Sequence, residues 1–187
     1  MKAAFPRACA LALAATLSAC ATLTGGPAAS PVDVTRLHLN QTIARATVAV
    51  EPANPADRND PGFAVYRAAV SRQLARLGWV IAPASTSAEQ VALIDVEQGS
   101  REALARRKLV GGPGTTLTYE ATPDIVATQL EVSLRRRSDA SVFWEGRAQT
   151  AARVGSPEAI PANVVEKLAE ALFRDFPGES GRTIRLQ

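Results

Sequence analysis

The chain has 187 residues, with 21 Lys and Arg against 18 Asp and Glu, one His and two Cys. That length fits one domain plus a short appendage, and 47% hydrophobic residues are enough to build a core. The formal charge of +3 is a slight excess and gives no basis for nucleic-acid binding, which needs a clustered basic face. One His leaves metal-ligand sets and most nucleophile–base pairs short of parts.

The chain opens with a charged head (Lys2, Arg7), an apolar run from Ala8 to Leu17, and the string Leu17-Ser18-Ala19-Cys20. That order of parts is a secretory signal peptide. Its apolar run is about half the ~20 residues that a membrane-spanning helix needs. Cleavage is predicted between Ala19 and Cys20, making residues 1–19 the signal. Their loss removes Lys2 and Arg7 and no acid, leaving 19 bases against 18 acids. Cys9 departs with the signal, so Cys20 has no partner for an intramolecular disulfide. The string resembles the lipobox of bacterial lipoproteins. The resemblance implies that the Cys20 thiol carries diacylglycerol and that the mature terminus bears three acyl chains, where a single chain would hold only marginally. Because Ala21 and not an aspartate follows, it also implies the outer membrane.

Residues 20–36 read as the lipidated cysteine and a flexible spacer, small and rich in Pro and Gly. A single α+β domain is expected over 37–187. His38 sits near its start without visible ligand or base partners, and is expected to be structural or exposed. Thr47-Val48-Ala49-Val50 predicts a strand. Asp60-Pro61 predicts a capped helix start, Phe63, Tyr66, Val70, Leu74 and Leu77 its core stripe, and Gly78 its stop. Arg67, Arg72 and Arg76 have no acidic partner within that helix; they read as a solvated face or, as candidate partner-binding residues, as a surface for phosphates or anionic lipid. Trp79-Val80-Ile81 predicts a strand completing a βαβ-like unit.

Val91–Glu97 predicts a further strand, with Asp95 and Glu97 on one face at period two. From Gln98 to Thr122 the pattern breaks into a long loop. It carries Arg106, Arg107 and Lys108, further candidate partner-binding residues, before Gly111-Gly112-Pro113-Gly114. Those glycines lack the Gly-Lys-Ser/Thr ending of a phosphate loop. Val126 to Leu134 and Val142 to Thr150 alternate strictly around a polar turn, an antiparallel hairpin with one buried face and three arginines (135–137) at its tip. Ser156-Pro157 predicts the second helix, with Ile160, Val164, Leu168, Leu172 and Phe176 as its stripe and Pro177-Gly178 its stop. Thr183–Leu186 predicts a final edge strand.

The segment from Phe63 to Trp79, the Val91–Glu97 strand, Phe143-Trp-Glu-Gly-Arg147 and Phe176-Pro-Gly-Glu-Ser-Gly181 together resemble the bacterial lipoprotein family built on domain of unknown function 4136. The family usually has a longer glycine tract than this chain, and the resemblance brings no catalytic residues.

The expected fold is α+β: a two-layer sandwich with a mixed, mainly antiparallel sheet of about five or six strands and two helices on one face. The expected function is a non-catalytic, lipid-anchored envelope lipoprotein, facing the periplasm from the outer membrane and serving a structural, assembly or partner-binding role. No enzyme activity, cofactor or metal is expected. The membrane through the N-terminal lipid and an envelope protein or glycan are the expected partners, and nucleic acid is not. The alternative is a periplasmic module binding lipid, glycan or a small amphiphile. A glycan hydrolase using Asp95 or Glu97 ranks third, since nothing in the sequence sets the two carboxylates apart.

Overall fold

Hydrogen bonding along seven strands produces one mixed sheet, described by the computed structural model over residues 30–83, 87–100, 104 and 124–187. The strands are β1 (Val32–His38), β2 (Thr47–Pro52), β3 (Val80–Ile81), β4 (Gln90–Gly99), β5 (Ile125–Arg136), β6 (Val142–Arg153) and β7 (Thr183–Leu186). Their order across the sheet is β3-β2-β4-β5-β6-β1-β7, with β2 parallel to β3 and β4 and the other pairs antiparallel. Helices α1 (Pro61–Arg76) and α2 (Pro161–Phe173) pack against one face. The expected α+β layering holds, with seven strands in place of five or six.

The additional strand is β1. It sits between β6 and β7, so the boundary drawn at residue 37 falls inside a strand that pairs from Val32 onward. Val32 and Val34 are buried in the core, and the Thr150 hydroxyl donates to the carbonyl of Pro31. Ordered structure therefore starts before the expected end of the spacer.

Register puts the even-numbered side chains of β4, β5, β6 and β1 on the helix face. Ala92, Ile94, Leu130, Val132, Leu134, Trp144, Ala148 and Val34 meet Phe63, Val70 and Leu74 of α1 and Val164, Leu168 and Leu172 of α2. Gly146 lies among them because a Cβ there would come within 2.4 Å of the Trp144 ring and 2.7 Å of Leu172. α1 begins as its sequence predicts, with the Asp60 carboxylate accepting from the amide of Gly62 and Pro61 in the first turn. It ends at Gly78, whose φ of +96° lets the amides of Gly78 and Trp79 return to the carbonyls of Ala75 and Leu74.

α2 departs from expectation at both ends. Pro157–Ala159 form a separate 3-10 turn, and the helix proper starts at Pro161, so Ile160 is exposed instead of joining the stripe. Phe176 lies beyond the helix but packs with Trp79, Trp144 and Phe173 at centroid distances of 5.2 to 6.1 Å.

The C-terminal end of α2 is held by a buried arginine. Arg36 Nε donates to the Leu172 carbonyl at 2.8 Å, and its Nη2 donates to those of Ala171 and Arg174, each at 2.9 Å. These carbonyls have no partner within the helix and carry the negative end of its dipole, so a cation suits them. Burial draws the guanidinium pKa below its ordinary value, and nearby Asp175 acts in the opposite direction. Gly178, at φ +77°, stacks so closely that an added Cβ would lie 2.6 Å from the Arg36 side chain. Replacing Arg36 by Met keeps the stem and removes the donors, leaving those carbonyls buried without partners. The expected loss is about 3–5 kcal/mol in denaturant melts. A loss below ~1 kcal/mol would mean the contact is peripheral.

Candidate functional site

Three surfaces concentrate polar chemistry: the sheet face away from the helices, the C-terminal turn around His38, and a cleft beside the βαβ unit.

Register builds the first from the odd-numbered residues. Asp95, Glu131, Arg147 and Thr35 form one cross-strand row, and Glu97, Gln129, Gln149 and Asp33 the next. The hairpin was expected to bury one face only, yet Gln129, Ser133, Glu145 and Gln149 on this side are also buried. Its charges are engaged: Arg147 pairs with Glu131 at 3.5 Å, and Arg185 of β7 holds both oxygens of Asp33 at 2.7 and 3.1 Å. Asp95 and Glu97 sit in this packed, partnered face, as the period-two reading placed them. Glu145, 2% exposed, accepts from the Ser133 hydroxyl at 3.4 Å. Burial raises its pKa above the ordinary value and Glu131 adds to this, against the pull of Arg135.

His38 is structural. Its Nε2 donates to the Gly178 carbonyl at 2.9 Å while Nδ1 accepts from the Asn40 amide at 3.2 Å, which fixes the neutral ring in one tautomer. Ser180 and the Trp144 indole, donating to the Pro177 carbonyl at 3.1 Å, complete this turn.

The third surface is a cleft of about 360 Å³ between α1, the exposed edge of β2 and the end of β3. β3 pairs only with Thr47 and Val48, so β2 from Ala49 to Pro52 lines the opening. Phe63, Arg67 and Ser71 follow one another at i+4 along α1 and form one wall, and Arg58 enters from the 3-10 turn (Pro55–Asn59) ahead of the helix. Neither Arg58 nor Arg67 forms an ion pair with a described residue. Glu51, also at the cleft, is bonded by Arg137 of the β5–β6 turn, and Asp60 caps α1.

The five arginines and one lysine singled out from the sequence therefore part company. Arg67 lines the cleft, Arg72 is tied to Glu166 of α2 by a salt bridge, and Arg76 is exposed at the helix end. Arg106, Arg107 and Lys108 lie outside the described residues, as do Ala19 and Cys20. At the hairpin tip the arginines are partnered by Ser133, Ser141, Asp139 and Glu51. Arg58 and Ser71 were not anticipated. The i+4 step from Arg67 marks Ser71, but nothing in the turn sequence marks Arg58. Among the described residues no group of three His, Cys, Asp or Glu is placed to hold a metal, and no described helix is long and apolar enough to cross a membrane.

A Zymomonas mobilis protein, the uncharacterised ZMO1243, is 25% identical over 86% of this chain and 82% of its own length. A PDZ domain protein from Parabacteroides distasonis shares the fold with a TM-score of 0.52 at 9% identity. The match covers 83% of this chain and 39% of that one, so the chain spans about two fifths of its length. The lipoprotein GNA1162 from Neisseria meningitidis aligns over 68% of this chain and 94% of its own, with a TM-score of 0.40 at 14% identity. No family model matches the chain. The resemblance to the domain-of-unknown-function-4136 lipoproteins thus rests on its own residues, of which Trp79, Gly146, Phe176 and Gly178 have packing roles here.

Glu145 gives a pH test of this geometry. Because its folded pKa lies above the unfolded one, its contribution is present below about pH 4.3 and is lost as pH rises through the folded value. Glu145→Gln should therefore melt higher than wild type at pH 7, with the gap closing below about pH 4. A variant no more stable than wild type at pH 7 would contradict the burial of this carboxylate.

Proposed function

We propose that the chain is a lipid-anchored, non-catalytic module of the bacterial cell envelope, held through Cys20 at the periplasmic face of the outer membrane, whose folded domain engages an envelope partner. The observation that carries this reading is where the sheet begins. Val32 follows the predicted lipid attachment point by only 12 residues. A segment of that length spans at most about 40 Å even when fully extended. A domain so tethered works at the membrane surface and does not range through the compartment.

The groups that the sequence offers for catalysis are occupied in ways that favour this reading. His38 braces the C-terminal turn, and Asp95 and Glu97 belong to a packed, partnered face. The alternative of a ligand-binding module gains support from the cleft, a concave, partly apolar site with two arginines at hand.

Metabolic labelling with radioactive palmitate tests the anchor. Wild type should take up label in full and Cys20→Ala none, with the variant retaining the longer, uncleaved chain on gels. Label in both chains, or in neither, would overturn the assignment of Cys20.

A further inference from the structure

We infer that the cleft beside α1 binds a phosphate ester carrying an apolar body, with Arg58 and Arg67 holding the phosphate. This inference stands on the cleft and not on how the chain is anchored.

Charge placement is the first reason. Six of the described arginines answer to a named acid: Arg72 to Glu166, Arg136 to Asp139, Arg137 to Glu51, Arg147 to Glu131, Arg182 to Glu179 and Arg185 to Asp33. Arg58 and Arg67 instead share a concave site whose nearby carboxylates serve elsewhere, Glu51 with Arg137 and Asp60 at the helix cap. Two like charges lining one cleft repel each other, and an anion between them relieves that repulsion.

The donor set is the second. A guanidinium presents a planar fork of N–H groups suited to oxyanions. One arginine suffices for the two oxygens of a carboxylate. Two arginines with the Ser71 hydroxyl match the greater number of acceptor oxygens on a phosphate.

Shape is the third. About 360 Å³ exceeds what a bare phosphate fills, and the remainder is lined by Phe63, Ile81 and Pro52. That wall suits the carbon skeleton of an ester, and the volume lies at the lower end of small-molecule sites. A lipid headgroup and a soluble phosphate ester share this chemistry.

Calorimetric titration of the full chain separates the two sources and tests the site. The probes are inorganic phosphate, phenyl phosphate and water-soluble dibutyryl phosphatidic acid. Saturable 1:1 binding of at least one ester is expected, tighter than that of inorganic phosphate. Tighter binding of the dibutyryl ester assigns a lipid headgroup, and equal binding of both esters assigns a soluble ligand. The double variant Arg58→Gln/Arg67→Gln should bind at least tenfold more weakly, while Arg76→Gln, altered outside the cleft, should bind as wild type does. Because both cleft arginines are exposed, the thermal midpoint of the double variant should match wild type. No saturable binding by wild type, equal binding by the double variant, or an equal loss in Arg76→Gln would each overturn the inference.

Discussion

A buried guanidinium on the open end of a helix holds this fold together. Arg36 lies on the core face of β1, where apolar residues would otherwise sit, and donates three hydrogen bonds to carbonyls around the end of α2. A charge this deep needs compensation, and the helix end supplies it through partial charges fixed in place. Those hydrogen bonds tie β1 to the end of α2. They also place the turn beyond α2, where Gly178 stacks on the Arg36 side chain and the amide of Gly181 donates to the Arg36 carbonyl at 2.8 Å. Phe176 is thereby delivered to Trp79 and Trp144, which joins the βαβ side of the sheet to the hairpin side.

The same contact explains what the sequence concealed. The hairpin and α1 were legible because their apolar residues follow clean periods of two and about four, uninterrupted by charge. β1 breaks the pattern, for Arg36 occupies an inward position and Asp33, paired with Arg185, an outward one that is nonetheless buried. A strand with a charged residue pointing inward reads as polar spacer until its helix partner is known. The start of α2 was misplaced for a simpler reason: two prolines, Pro157 and Pro161, each suit a first turn, and the nearer one belongs to a 3-10 turn. The buried polar side of the hairpin was invisible too, because alternation distinguishes apolar from polar but not covered from uncovered.

The candidate site was half legible. Arg67 stood out as a cation without an acid on its own helix, and it does face the cleft. Arg72 looked identical in sequence, yet its acid waits on α2, 94 residues further on. Local spacing cannot distinguish a free arginine from one whose partner arrives through tertiary packing. Arg58 lies in an irregular turn with no period to read, and only the short length of β3 creates the opening that it lines.

The claim that Arg36 makes β1 an integral strand of the sheet is tested most directly by native-state hydrogen exchange. The account predicts that the amides of residues 34–37 exchange only through global unfolding, at the same free energy as those of residues 130–134 in β5. Exchange of residues 34–37 at the rate of an unstructured spacer, while β5 stays protected, would contradict it.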